Sequence, residues 1–409
     1  MKRKLYIIGA GMGDDSQITG QGMKAMKEAD IVYAFARIAE LYVEKYPNIS
    51  ICDYTLLIEK LNLGNYRNIA VLVSGDVGFF SMANTLRGHF EDIYDMECIC
   101  GINSMQYLCA KVGISYEKVH VLSLHGRDSM VKLLGGIAYH TYTFLLTGGA
   151  NTTSVILEYL RTSMADIWDE NELQITIGDQ LSMADEQIIT GSIEALSAME
   201  LHAPLAVMLV HNPNPSRRNQ HYRDEAFIRS SVPMSKRDIR SLAVDYLDIK
   251  PEDVVYDIGA GTGSVSIELA SFAHEGMVYA LEKKPEGYDT ILRNKEKFGS
   301  YNLQPILCSA IERIGELPVP DKVFIGGSSG DLPEMLDLLF HRNEKVEVLI
   351  TAITLETLNL AMETLKGLNL DYEVSCINSS YSRKVGSYHL MTANNPIYLI
   401  WAKQGEVEA

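Results

Sequence analysis

Two segments of the 409-residue chain put glycines where a backbone must pass close to a ligand. The first runs from Leu5, Tyr6, Ile7 and Ile8 into Gly9, Gly11, Gly13 and Asp14. The second runs from Val254, Val255 and Tyr256 into Asp257, Gly259, Gly261 and Gly263. Each is a short β-rich apolar run followed by alternating glycines, which carry no Cβ to block the approach. The second loop reads Asp-x-Gly-x-Gly-x-Gly. A dinucleotide fingerprint would need its third glycine one position later, where Ser264 stands. The strand-like residues 278–281 then end at Glu282, 25 residues beyond Asp257, a distance of one helix and one strand. A carboxylate at the end of a second strand is where a ribose diol is held, through charge-assisted hydrogen bonds from the hydroxyls. The alternatives are an NAD-type site and a loop that binds neither.

The first loop gains weight from other segments. Ser74, Gly75 and Asp76 form a second strand-then-turn, and Gly101 to Ser104 open a helix after another strand. Two further loops carry His125 with Arg127, and Thr147 with Gly148 and Gly149. Loops at the carboxyl ends of strands are where α/β sheets bind ligands. Each residue also has a plainer reading: His125 as a loop residue, Ser104 as a helix cap, Asp76 as a turn cap. Taken together they suggest a cleft built from many loops.

The elements that must position these loops are legible as a pattern. Residues 69–73, 141–146, 278–281, 322–325 and 346–350 are short apolar runs with little alternation, as buried parallel strands are. Helical stretches such as 333–339 and 354–365 lie between them, giving α/β organisation in both halves. Residues 372–377 and 397–401 read as paired antiparallel strands joined by a polar, turn-rich stretch. Residues 211–220 are dense in Pro, Asn and Arg and read as a linker. Ser235 and Asp238, three apart, read as a capping box opening the second half. The predicted domains are therefore residues 1–215 and 216–409.

Composition bounds the function. Hydrophobic residues at 47% and charged residues at 22% make a globular chain rather than a disordered one. A net charge of -17 disfavours general nucleic-acid binding, though it leaves room for a local basic pocket. The 6 cysteines form neither a disulfide scaffold nor a metal-ligand spacing, so no metal site is expected. No apolar stretch approaches the ~18 residues of a membrane span. The expected location is the cytoplasm.

The second loop resembles the S-adenosylmethionine loop of Rossmann-like methyltransferases. That resemblance gives Glu282 to the ribose, Asp257 to the amino-acid end of the donor, and Gly326 to the same site. Residues 3–210 resemble the tetrapyrrole methylase family, on Gly9 to Asp14, Ser74 to Asp76, Gly101 to Ser104 and the Ser-Leu-His-Gly-Arg motif ending at Arg127. Residues 224–405 resemble the decarboxylating C15-methyltransferases, on Ser235 to Arg240, Asp257 to Gly263, Phe324 to Ser328 and Thr354 to Glu356. In this order the halves are similar to the bifunctional, decarboxylating precorrin C5,15-methyltransferases of cobalamin biosynthesis.

The resemblance implies a two-lobed tetrapyrrole methylase (class III methyltransferase) fold followed by a Rossmann-like class I fold. It implies one S-adenosyl-L-methionine site per domain: Gly9, Gly11, Gly13, Asp14, Ser74, Gly75, Asp76 and Ser104 in the first, and Asp257, Gly259, Gly261, Gly263, Glu282 and Gly326 in the second. The implied substrate is a polycarboxylate precorrin or cobalt-precorrin. His125, Arg127, Lys236, Arg237, Arg240 and Arg383 are the candidates to meet its carboxylates or act in the reaction, with a solvated basic helix start as the alternative for Lys236 to Arg240. A homo-oligomer is implied, with no nucleic-acid or membrane partner. The competing functions are a second half that methylates another acceptor, such as RNA, and a chain in which only one half is active.

Overall fold

The structure is a computed structural model and describes residues 2–124, 130–163, 173–199, 206–327 and 330–405. The chain divides into two compact units. One comprises the described residues of Met1–Gly126, Tyr142–Tyr159 and Leu173–His211; the other comprises those of Arg127–Thr141, Leu160–Glu172 and Asn212–Ala409.

The first unit holds two five-stranded sheets. Strands β1 (Arg3–Gly9), β2 (Ile31–Ala34), β3 (Ile49–Ile51), β4 (Asn68–Val73) and β5 (Tyr94–Ile99) form the first, in the order β3-β2-β4-β1-β5. All its pairings are parallel. The inner strands β1 and β4 are buried runs of Leu, Ile, Val and Ala, as a sheet covered on both faces requires. The second sheet joins β6 (Val119–Ser123), β7 (Tyr142–Leu146), β8 (Gln174–Asp179), β9 (Gln187–Gly191) and β10 (Ala206–His211), in the order β6-β7-β10-β8-β9. Here only β6 and β7 run parallel; β10 pairs antiparallel with β7 and β8, and β9 antiparallel with β8.

In the second unit a seven-stranded sheet is built from β11 (Val254–Ile258), β12 (Met277–Glu282), β13 (Leu303–Leu307), β14 (Lys322–Ile325), β15 (Glu347–Ala352), β16 (Leu370–Ile377) and β19 (Ile397–Gln404). Its order, β13-β12-β11-β14-β15-β19-β16, reverses between β11 and β14. Such a reversal leaves a crevice outside the carboxyl ends of the two strands. The strands from β13 to β15 are parallel; β19 is antiparallel to both β15 and β16. The helix Arg237–Leu247 buries Ile239, Ala243, Val244 and Leu247, one stripe at helical spacing, in the core of this sheet.

Three expectations differ in detail. The stretch between β16 and β19 is not a plain polar turn: it forms its own two-stranded ribbon, β17 (Ser380–Val385) with β18 (Tyr388–Ala393). Its polar and turn-like residues stand exposed on both faces, so the usual apolar alternation of a half-buried strand is missing. The capping box is also absent. Lys236 is the N-cap without a side-chain bond, and the carbonyl of Ser235 accepts from Arg240 Nη1 at 2.8 Å. The helix that Ser104 was expected to cap is capped by Asn103, whose side chain forms a true capping box with Gln106. Among the described residues no helix is long and apolar enough to cross a membrane.

Candidate active site

Each unit carries a cavity at the end of its own glycine loop. That of the second unit, about 410 Å³, opens where β11 and β14 diverge. Gly259, Gly261 and Gly263 all take positive φ, at 73°, 60° and 74°. A Cβ at Gly259 would lie 2.6 Å from the carbonyl oxygen of Gly327, and one at Gly261 would lie 2.9 Å from that of Pro233. Only glycine fits this turn, so the backbone itself forms the wall. Gly326 lines the same cavity and donates its N–H to Ile258 O at 2.9 Å. Gly263 stands behind the wall as the N-cap of the helix Ser264–Phe272.

Two buried carboxylates face this cavity. Glu282 accepts from Gly261 N at 2.7 Å through Oε2 and from Lys284 N at 2.8 Å through Oε1. These bonds pin the acid at the tip of β12, against the glycine turn. Asp257 is completely buried; its Oδ2 accepts from Ser266 Oγ, and its Oδ1 has no partner. Burial pushes the Asp257 carboxyl up to about 7, with Glu282 adding repulsion and Ser266 opposing it. A buried polar atom without a partner is uncommon and calls for an explanation; an orphaned acid oxygen beside a cradle of glycines is a place for a donor group of a ligand. The residues present thus fit a nucleoside with a polar tail.

The basic residues of this unit separate. Lys236 lines the cavity; its Nζ lies 3.9 Å from Asp224 Oδ2. Arg237 is exposed, is not among the cavity's lining residues, and gives its backbone N–H to Asp224 at 2.9 Å. Arg240 corrects the expectation of a substrate contact. It is fully buried and stacks 4.6 Å from the Phe227 ring centroid. Its Nε donates to Glu268 at 2.5 Å, Nη1 to Asp224 at 3.3 Å and Nη2 to Tyr222 O at 2.6 Å. Glu268, equally buried on the neighbouring helix, also accepts from Tyr222 N and lies 2.6 Å from His221 Nδ1. Arg240 and Arg237 are three apart, but the one faces the core and the other solvent. Arg383 stands exposed on β17 and is not among the residues lining the cavity. Lys283 and Lys284 do line it, so its charged wall is mixed rather than uniformly acidic.

The cavity of the first unit, about 380 Å³, is lined by Ser74, Gly75 and Ser104 together with the loop 146–149. The other expected residues sit behind or beside it. A Cβ at Gly101 would lie 2.5 Å from Gly75 O and 2.6 Å from Gly9 O, and one at Gly9 would lie 2.7 Å from Gly75 O, so Gly9 and Gly101 let the ends of β1, β4 and β5 touch one another. Gly11 exchanges backbone hydrogen bonds with Gly75, and Gly13 packs against Met183. Asp76 is spent on the turn: it accepts from Gly78 N at 2.8 Å and Gly101 N at 2.9 Å. Asp14 is exposed and caps a short helical turn by accepting from Ser16 N, a bond that holds its carboxyl below the usual range. His125 and Arg127 lie outside the described residues.

Sequence reasoning missed Arg37, which lines this cavity. It donates to Met12 O at 2.6 Å and to Ser74 Oγ at 2.8 Å. The signal was available: a cation three residues past the end of β2, at the carboxyl edge of a parallel sheet. Phe80 and Gln180 were missed as well; both line the cavity with positive φ, 47° and 45°, where a non-glycine residue is uncommon.

Each unit thus pairs an α/β sheet with a cavity at strand ends of a kind that binds small ligands. The comparisons with known proteins carry this further. Residues 4–197 match the model of the tetrapyrrole (corrin/porphyrin) methylases, and residues 225–404 match that of the precorrin methyltransferase domain. A probable cobalt-precorrin-6B C(15)-methyltransferase (decarboxylating) of Pyrobaculum calidifontis is 40% identical over 182 residues, covering 44% of this chain and 93% of that protein. A crystal structure described as precorrin-6y C5,15-methyltransferase from Geobacter metallireducens is 33% identical, with a TM-score of 0.43, and covers 45% of this chain and 96% of that one. A precorrin-6Y methylase of Archaeoglobus fulgidus is 19% identical, with a TM-score of 0.42, over 52% of this chain and 100% of that one. The chain belongs to the precorrin methyltransferases, with a tetrapyrrole methylase half preceding the precorrin methyltransferase half. Its methyl donor is S-adenosylmethionine.

Proposed function

We propose that the chain performs two methyl transfers on one corrinoid precursor: at C5 in the first unit, and at C15 with loss of the C12 acetate carboxyl in the second. The product is precorrin-8 or cobalt-precorrin-8. The observation that carries this reading is the pair of cavities, one within each unit at the carboxyl ends of its strands, in a chain whose halves match these two families in this order. S-adenosylmethionine supplies an electrophilic methyl group at each site. The ring carbon to be methylated is enamine-like and attacks that methyl directly, so the protein need supply no nucleophile. Its task is to hold the reactants in line at attack distance. Each transfer breaks the donor's S–CH3 bond and releases S-adenosylhomocysteine; in the second unit, the electrons freed as carbon dioxide leaves pass into the conjugated ring of the substrate, and a proton from solvent then takes the place of the carboxyl, leaving a methyl at C12.

We assign Glu282 to the donor's ribose hydroxyls and Asp257 Oδ1 to its amino-acid end, with Gly259, Gly261 and Gly326 giving the backbone room. Lys236, Arg237 and Arg383, and in the first unit His125 and Arg127, are assigned to the substrate's side; Arg240 acts only by fixing Asp224, which in turn steadies Lys236. Gly75, Ser74 and Ser104 form the donor wall of the first unit. Gly9, Gly11, Gly13, Asp14 and Asp76 shape its loops. The functional boundary lies near residue 215, and the enzyme works in the cytoplasm as a homo-oligomer. The exposed ribbon β17–β18, with Tyr381, Tyr388, Leu390 and Met391 open to solvent, supports self-association.

Mass spectrometry of anaerobic incubations with S-adenosylmethionine and precorrin-6B, or cobalt-precorrin-6B, tests the proposal. A gain of two methyls with loss of one carbon dioxide is expected. A single methyl would leave one half inactive, and no change with either substrate would overturn the corrinoid assignment.

A further inference from the structure

We infer that Arg37 is the carboxylate anchor of the first cavity, its guanidinium receiving an acid group of one of the two reactants of the C5 transfer. The inference rests on the functional reading above. Among the described residues lining that cavity, Arg37 is the one that carries charge. It is half-buried, and its two hydrogen bonds go to neutral acceptors, Met12 O and Ser74 Oγ. Those partners belong to the loops after β1 and β4, so the guanidinium is held across both with its plane fixed. Two of the five N–H donors of a guanidinium are thereby used. Among the described residues no carboxylate lies within 4.0 Å of it.

A cation taken partly out of water without a counter-charge is costly, and such groups are ordinarily paired. Burial alone lowers the Arg37 pKa, and no acidic neighbour restores it. The rest of the wall offers no anion: Phe79, Phe80, Leu146, Leu181 and Met183 are apolar. The missing partner therefore has to arrive with a ligand. A carboxylate fits, because the guanidinium fork binds it bidentately. Both reactants bear one: the tetrapyrrole on its acetate and propionate arms, S-adenosylmethionine on its amino-acid end.

The test compares full-length wild type, Arg37→Lys and Arg37→Met for both methyl transfers, with product position read by mass spectrometry. The C15 transfer in the same chain reports on folding and should not change. In Arg37→Met the KM of the C5 transfer for one reactant should rise about 10- to 100-fold, and in Arg37→Lys by less, since charge is kept but the fork is lost. A rise in the KM for tetrapyrrole assigns the anchor to the acceptor, and a rise in the KM for S-adenosylmethionine assigns it to the donor. Unchanged KM for both, with a lower kcat and a lower unfolding temperature, would overturn the inference and make Arg37 a strut between loops. A second arm is independent of turnover: binding of uroporphyrin against its octamethyl ester, and of S-adenosylhomocysteine against its decarboxylated analogue. Weaker binding of an acid form to Arg37→Met, with the acid-free form unaffected, supports the anchor even if wild type methylates no corrinoid. Equal binding of all four probes to wild type and Arg37→Met would sink it.

Discussion

The two cavities, each proposed to hold a methyl donor, are lined by different charges. The second unit aims two buried acids at its cavity, Asp257 and Glu282, beside the lysines Lys236, Lys283 and Lys284, and lets two positive-φ glycines, Gly259 and Gly261, bring backbone up to it. The first unit turns its acids away, Asp14 to a helical cap and Asp76 to a turn, and presents Arg37 instead. Two of its glycines serve packing, since Gly9 and Gly101 allow the strand tips to meet. The same residue pattern, a strand running into alternating glycines, thus makes a cavity wall in one unit and a strand junction in the other.

That contrast is sharpest at Gly101 and Gly259. Gly101→Ala sets a Cβ 2.5 Å from Gly75 O, with nothing but backbone to give way. It should cost about 4 kcal/mol or more, the upper tail of single substitutions, seen as a loss of stability together with C5 transfer. Gly259→Ala meets Gly327 O at 2.6 Å and adds the strain of a positive φ. It should reduce C15 transfer by about 100-fold or more while C5 transfer persists. If both variants lost both activities equally, the separation of the two sites would fail.

Next in size is the buried pair behind the second site. Arg240→Met takes the guanidinium from the fully buried Glu268 and leaves Asp224 only the more distant cations Lys236 and Arg229, and it should destabilise the unit by about 3–5 kcal/mol. Lys236→Met removes an exposed cation 3.9 Å from Asp224, and its stability cost should stay below about 1 kcal/mol. Denaturant melts of both variants check this. A mild Arg240→Met would return Arg240 to the substrate's side.

Glu282→Gln comes third. It keeps the shape but loses the charge that a ribose diol would face. Donor affinity of the second site should fall about 10- to 100-fold, read as the KM for S-adenosylmethionine in C15 transfer. The C5 transfer, whose described cavity wall holds no carboxylate, should be unaffected.

The sequence carried the α/β halves, the loop after β11 and the carboxylate at the end of β12, because each is local. Apolar runs mark buried strands, and Asp257, the glycines and Glu282 sit at spacings that a strand-helix-strand unit fixes. What it did not carry was direction. Lys236, Arg237 and Arg240 share one helical turn, yet burial against Phe227 and Glu268, set by a helix 28 residues further on, decides that Arg240 faces inward. Arg37 was legible only as a cation just past the end of β2; its partners were not, because only the folding of β1 and β4 beside it brings Met12 and Ser74 to its guanidinium. The glycines of the first loop were legible as a tight approach, but whether the neighbour is a ligand or another strand depends on Gly75 and Gly101, far along the chain.

The smallest effect, and the finest discriminator between the sites, is their response to pH. Burial raises Asp257 to about 7, well above its ordinary value of 3.8. The folded unit therefore holds a proton that the unfolded chain has released, and this group's contribution to stability falls as pH rises from about 4 to 7 and is level above that. His274 acts in the opposite sense: burial lowers it from 6.5 to about 4, so its contribution is lost as pH falls through that window. Melting curves would mix the two, whereas binding separates them. A donor group placed on Asp257 Oδ1 favours the ionised acid, so the second site's affinity for S-adenosylmethionine should rise by up to about tenfold between about pH 6 and 8. Asp257→Asn should abolish that rise. The first site, measured as the KM of C5 transfer in the same samples, should show no such dependence; an equal rise at both sites would assign the effect to the ligand rather than to Asp257.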